Sequence, residues 1–311
     1  MKLAFLGTPE FAAPSLEALV SAGHDLHLVL TQPDRPKGRG QELAAPPVKQ
    51  CALRLGLAVS QPERVRRPEV VEQLRSLDLD AMVVVGYGQI IPQSVIDMVP
   101  HGILNVHASL LPNYRGAAPI QWAIANGETR TGVTIMRIDA GLDTGHMLRK
   151  WETEIGPEET APELSARLAV AGAKLLIETL EDLATIRPEP QNHAEATLAP
   201  ILKKEDGFVH WEWPARKIHS RCRGFQPWPG AITTFRGLQL QIWRCTPFPE
   251  TFAAPPGAMR AVKRRLLVAC GEASALEILE LQLQGRKRVA ADAFLNGQHL
   301  SDNERLGEPA A

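Results

Sequence analysis

Asn105 and His107 stand two residues apart in Gly102-Ile-Leu-Asn-Val-His-Ala-Ser-Leu-Leu-Pro-Asn-Tyr-Arg-Gly116. Residues 103–107 read as a short buried strand. Side chains alternate along a strand, so both residues point to the same side. An amide and an imidazole on one face can each donate an N–H to an oxygen that gains negative charge. They can equally close the strand as a hydrogen-bonded structural pair, and the two residues alone leave both readings open. Asp143 falls in Asp139-Ala-Gly-Leu-Asp-Thr-Gly145. A carboxylate there suits proton transfer or plain turn formation. No His, Cys, Asp or Glu spacing builds a metal site, so chemistry without metal is expected.

The elements around this stretch predict an α/β domain. Strands at 2–6 and 26–30 flank a helix at 10–22 whose apolar face carries Phe11, Leu16, Leu19 and Val20. Such a βαβ opening predicts a parallel, doubly wound sheet. Helices are expected at 48–55, 68–76 and 118–125. Residues 81–85 form a continuous apolar run, as in a strand buried on both faces. It ends in Gly86-Tyr-Gly-Gln-Ile-Ile-Pro92, which should lie beside the end of the 103–107 strand. Ligands collect at such strand ends. The two glycines admit a flat ligand, or simply make a tight turn. A strand at 131–138, an extended stretch at 147–154 and a long amphipathic helix at 160–183, capped by Thr160, complete the domain. The first turn is Gly7-Thr-Pro-Glu10, without the glycine fingerprint of dinucleotide-binding folds, which disfavours a nicotinamide dehydrogenase.

The chain has 311 residues, enough for two ordinary domains, and its 44% apolar and 22% charged content suits a soluble globular protein. No apolar run approaches the ~20 residues needed to span a membrane. Only Lys2 precedes the first apolar run, which reads as a strand and not a signal peptide. The four scattered cysteines predict reduced thiols in a cytosolic protein. Residues 1–202 hold 18 Lys+Arg against 24 Asp+Glu, whereas residues 203–311 hold 16 against 11. A basic second part suits a polyanionic partner or ordinary surface scatter. The polar loop 31–47 carries Arg35, Lys37 and Arg39, and reads as a surface loop or as an arm for a phosphate backbone. Residues 187–199 read as a linker. Beyond it, a helix at 215–223 and strands at 208–213, 231–235, 238–244, 266–270 and 276–283 suggest a small barrel. Trp211, Trp213, Trp228 and Trp243 suit its core or base stacking. His146 is expected at the surface.

Asn-Val-His-x-Ser-Leu-Leu-Pro-x-Tyr-Arg-Gly-x-x-Pro at 105–119 resembles the signature of the folate-dependent formyltransferases, and the 139–145 loop resembles their second signature. The Gln32-Pro-Asp-Arg-Pro-Lys-Gly-Arg-Gly40 loop, Lys204-Glu-Asp-Gly207 and Phe225-Gln-Pro-Trp-Pro-Gly230 resemble segments of the member that acts on a charged tRNA. Gln226 stands where that pattern has Asn. The resemblance implies a Rossmann-like, doubly wound, mostly parallel sheet followed by a small C-terminal OB-like β-barrel. The expected division is a folate-binding domain at 1–188, a linker at 189–205 and a tRNA-binding domain at 206–311. It implies Asn105, His107 and Asp143 as the catalytic trio. It implies Tyr87, Gly88, Gln89, Ile91, Ser109, Leu110, Leu111 and Pro112 around the folate, and Arg35, Lys37 and Arg39 towards tRNA. The implied donor is 10-formyltetrahydrofolate and the implied acceptor the α-amino group of charged initiator methionyl-tRNA, in a monomeric cytoplasmic enzyme without a metal. Formyltransferases acting on a sugar-nucleotide amine or on glycinamide ribonucleotide are the nearest alternatives. An RNA-binding module with an inactive first domain is another.

Overall fold

The computed structural model describes residues 1–37, 42–301 and 304–307. Two compact units divide the chain: Met1–Pro119 with Arg130–Thr153 and Ser165–Pro200, and Ile120–Thr129 with Glu154–Leu164 and Ile201–Ala311.

The strands of the first unit are β1 (Lys2–Gly7), β2 (Asp25–Leu30), β3 (Arg35–Lys37), β4 (Glu42–Ala44), β5 (Val59–Ser60), β6 (Ala81–Val85), β7 (Ile103–His107), β8 (Arg115–Gly116), β9 (Arg130–Arg137), β10 (Met147–Glu154) and β11 (Leu198–Ala199). Seven of them form one sheet in the order β10-β9-β7-β6-β1-β2-β5. β5, β2, β1, β6 and β7 run parallel, and β9 joins β7 antiparallel. The mostly parallel sheet is therefore present. β6, a continuous apolar run, is buried along its whole length, and so is β7 even with Asn105 and His107 on it.

Helices α1 (Ala13–Ser21), α2 (Pro47–Arg54), α3 (Pro68–Ser76) and α4 (Gln93–Ile96) accompany the first strands, with α5 (Pro119–Ala125) and α6 (Ala161–Glu181) after β7. Proline opens α2 and α3, where its missing N–H costs nothing. Before α6, the Thr160 N–H and hydroxyl both donate to Glu163 Oε2, at 2.8 and 2.7 Å, which closes the helix start. A Cβ on Gly172 of α6 would stand 2.9 Å from Val106, so glycine sets how closely this helix approaches β7. Val106 thus faces α6, which leaves Asn105 and His107 on the opposite face. That face is continued by Ile103, packed in one cluster with Met82, Val84, Tyr87 and Ile91.

The second unit contains α7 (Ala215–Gly224), β12 (Ala231–Phe235), β13 (Leu238–Phe248), β14 (Met259–Val262), β15 (Arg265–Ala269), β16 (Ala275–Leu283), β17 (Val289–Ala290) and α8 (Ala291–Gly297). An antiparallel sheet runs β12-β13-β16-β15-β14, with β17 on β16. Among the described residues no ladder joins β14 to β12, so the expected β domain takes the form of an antiparallel sheet over its core. Trp211, Ile218, Phe235, Ile242, Leu276 and Phe294 belong to that core. Phe235 meets Phe294 edge-on, 5.2 Å between centroids.

Residues 208–213 correct one expectation. Phe208 makes a single bridge to Ile232, and the chain then turns, with Trp213 N–H donating to His210 O at 3.0 Å. The carbonyls of Trp211 and Trp213 both accept from Gly271 N–H, which an extended strand cannot arrange. β14 and α8 escaped the sequence reading altogether. Arg35–Lys37 and Glu42–Ala44 pair antiparallel, so both arms of the 31–47 loop are strands.

Candidate active site

β7 delivers Asn105 and His107 to the carboxyl end of the parallel strands, next to β6. Both are buried, 8% and 5% exposed. The 139–145 loop follows β9, the antiparallel neighbour of β7, and brings Asp143 onto them. Asn105 Nδ2 stands 3.5 Å from Asp143 Oδ1, and His107 Nδ1 stands 3.6 Å from Asp143 Oδ2. His107 Nε2 donates to Tyr114 O at 3.0 Å. Both ring nitrogens therefore face oxygen acceptors, which fixes the plane of the ring.

Two turns hold this arrangement. The first is Ser109 to Gly116. Thr134 Oγ1 donates to Ser109 O at 2.7 Å and accepts from Leu111 N–H at 3.1 Å, so β9 clamps the start of the turn. Ser109 Oγ donates to Asn113 O at 2.6 Å. Tyr114 has φ +60° and its N–H donates to Thr197 Oγ1 at 2.9 Å. The second turn is Asp139 to Gly145. Asp139 Oδ1 accepts from Gly141 N–H at 3.1 Å and Thr144 Oγ1 at 2.6 Å. A Cβ on Gly145 would lie 1.9 Å from Arg137 O, so no other residue fits there. Asp143 itself has φ +51°.

The remaining residues singled out from the sequence are placed as follows. Tyr87, Ile91 and Leu111 are buried in the core. The Tyr87 hydroxyl has no hydrogen-bond partner among the described residues, and burial pushes it up to about 12. Its carbonyl accepts from Thr8 Oγ1 and Gln32 Nε2. Gln89 is engaged with the chain before α3: Oε1 accepts from Val65 N–H at 2.7 Å. Leu110 packs over Gly132, and Pro112 follows in the Ser109 turn. Gly88 has φ +81° and open space at the Cβ position, with Gln32 Nε2 nearest at 3.9 Å. Arg35 is exposed on β3, and Lys37 ends that strand. Arg39 lies outside the described residues. His146 is exposed, as expected.

One buried polar residue next to this site was missed. Gln191 lies in the stretch that reads as a linker, yet it bonds to both Arg115 and the Asp143 loop. Its separation from Arg115, 76 residues, leaves no local pattern to find it by. Among the described residues no group of three or more His, Cys, Asp or Glu could hold a metal ion. No helix among the described residues is long and apolar enough to cross a membrane.

Residues 1–180 match the formyl transferase family, and residues 201–299 match the formyl transferase C-terminal domain. The chain is 66% identical over 310 residues to the methionyl-tRNA formyltransferase of Solibacter usitatus, covering 99% of each. It is 56% identical over 310 residues to that of Koribacter versatilis, again covering 99% of each. Among solved structures it is similar to WlaRD, a sugar 3N-formyl transferase crystallised with dTDP and 5-N-formyl-THF. The TM-score is 0.69 at 16% identity, over 92% of this chain and 99% of that one. HypX from Aquifex aeolicus in complex with tetrahydrofolic acid gives 0.60 at 16% identity, over 95% of this chain and 47% of that one. Likeness at this level of identity concerns the fold.

Proposed function

Because the chain belongs to the formyl transferase family, we infer that it is a methionyl-tRNA formyltransferase. It moves the formyl group of 10-formyltetrahydrofolate to the α-amino group of charged initiator methionyl-tRNA, for translation initiation. The observation that carries the reading of the site is the meeting of Asn105, His107 and Asp143 at the carboxyl end of β7.

The incoming amine must be neutral to attack. A free α-amino group titrates near roughly 8, and an ester on the adjacent carbon lowers it, so a useful fraction is neutral at pH 7. Attack forms the new C–N bond and places negative charge on the formyl oxygen. Asn105 donates an amide N–H to that oxygen, and one such donor is typically worth about 3–4 kcal/mol of barrier. With Nε2 bonded to Tyr114 O, His107 has Nδ1 left, 3.6 Å from Asp143 Oδ2, and a proton on that nitrogen is the second N–H for the oxygen. The Asp143 carboxylate takes up or relays the amine proton, which passes to N10 as the bond from N10 to the formyl carbon breaks. No step calls for a metal. The open backbone at Gly88 and the Ser109–Pro112 turn suit a flat pterin, with Tyr87 and Ile91 as the packed floor beneath.

The acceptor side of the reading assigns Arg35, Lys37 and Arg39 to the tRNA phosphates and residues 206–311 to the tRNA body, consistent with the basic excess of the second part. We place the enzyme in the cytosol as a monomer. Purified protein given 10-formyltetrahydrofolate with charged initiator tRNA, free methionine or a sugar-nucleotide amine tests this. Formylation of the charged tRNA alone is expected. Transfer only to a small amine would overturn the acceptor.

A further inference from the structure

Gln191 is 5% exposed and both ends of its amide are engaged. Oε1 accepts from Arg115 Nε at 3.0 Å and Nη2 at 2.7 Å. Nε2 donates to Asp143 O and to Gly145 O, both at 2.8 Å. The orientation of the amide is forced, since a guanidinium can only donate and a carbonyl can only accept. Arg115, itself buried, is steadied by a further donation from Nη2 to His193 Nδ1 at 3.2 Å.

These bonds act on a backbone that needs holding. Asp143 sits at φ +51°, a conformation that a non-glycine residue keeps only when its surroundings impose it. Its carbonyl is one of the two oxygens that Gln191 ties down. The carboxylate of the same residue is fixed separately, by Gly116 N–H at 2.8 Å from Oδ2. Gly116 belongs to β8, which pairs with β11. The main chain of Asp143 is thus held by Gln191 directly, and its side chain by Gly116, whose strand pairs with Leu198–Ala199.

We propose that Gln191 is a positioning residue for Asp143, acting through its two N–H bonds to the 139–145 loop; the proposal rests on the reading of Asp143 as catalytic. Gln191→Glu and Gln191→Ala separate this role from simple partnership with Arg115. Glutamate keeps an acceptor for the guanidinium but sets a carboxylate against two carbonyls. Alanine removes both contacts. In the positioning role the two variants behave alike. Each lowers kcat by about ten- to hundredfold with KM for both substrates nearly unchanged, since small misplacements of a reacting group carry penalties of that size. Each also speeds amide hydrogen exchange across 139–145.

Wild-type kcat and exchange in Gln191→Glu, with defects confined to Gln191→Ala, would overturn the proposal, because Gln191 would then serve only Arg115. So would normal turnover in both variants beside an inactive Asp143→Asn. Faster exchange with normal turnover in both variants and in Asp143→Asn would leave the loop anchor standing and refute the catalytic reading of Asp143 instead.

Discussion

Gly116 N–H donates to Asp143 Oδ2 at 2.8 Å, a bond between main chain and side chain across 27 residues. Gly116 can make it because it sits at φ +119° with Ala199 O close by; a Cβ there would lie 2.7 Å from that oxygen. Gly116→Ala therefore strains the turn and pushes β8 off β11. The expected cost is about 1–3 kcal/mol of stability, read by urea unfolding, together with a fall in kcat. A variant that unfolds at the same urea concentration and turns over normally would show that β8 tolerates the side chain.

Asn105→Ala removes the proposed oxyanion donor and leaves the strand ladder of β7 intact. Single-turnover formyl transfer should slow by about 10²–10³-fold, with little change in the affinity for either substrate. His107→Ala should slow it comparably. It should also loosen the turn at Tyr114, whose carbonyl loses its donor. Near-normal rates in either variant would remove that residue from the catalytic set.

His219 gives the second unit a pH signature. Burial lowers its proton affinity from the ordinary 6.5; nearby Arg223 acts in the same sense, and Glu158, 3.3 Å away, opposes both. The unfolded chain therefore takes up a proton near 6.5 that the folded chain resists. Stability contributed by neutral His219 is full above that pH and declines as pH falls below it. His219→Gln should lose less stability than the parent between about pH 7 and about pH 5. Parallel stability curves for the two proteins would contradict the assigned direction.

Binding of tRNA should weaken steeply with salt, because each neutralised phosphate releases counterions. Arg35→Ala and Lys37→Ala should each raise KM for charged tRNA, leave kcat near normal and reduce the salt slope by about one ion. Steady-state kinetics at several salt concentrations read both effects. Unchanged slopes would move the phosphate contacts away from β3.

Much of the candidate site was legible because its parts are local. Period-two alternation placed Asn105 and His107 on one face of β7, and the 139–145 turn carries its own glycines and its Asx bonds. What escaped depends on distance. Gln191 sits among Pro, Glu and small polar residues, and nothing in that composition shows that its amide reaches Arg115 and Asp143. Trp211 and Trp213 alternate like a strand, but a buried bond from Trp211 Nε1 to Thr233 Oγ1 and the double donation from Gly271 N–H to their carbonyls impose a turn. β14 was obscured because Arg260, Ala261 and Val262 of this edge strand are all exposed, so the alternation of a half-buried strand is missing. The resemblance set Tyr87 towards the folate; its side chain is buried in one cluster with Ile91.

The pairing of β8 with β11 bears on how this protein can be cut. Leu198 and Ala199 stand register to register with Arg115 and Gly116, and Thr197 and Gln191 reach the same turns. A fragment ending near residue 188 would contain every residue of the proposed trio and lack the strand that seats them. During synthesis, too, Asp143 leaves the ribosome after Gly116 but well before Gln191, Leu198 and Ala199. Any fragment meant to keep this geometry therefore has to run past residue 188 and include Gln191 to Ala199.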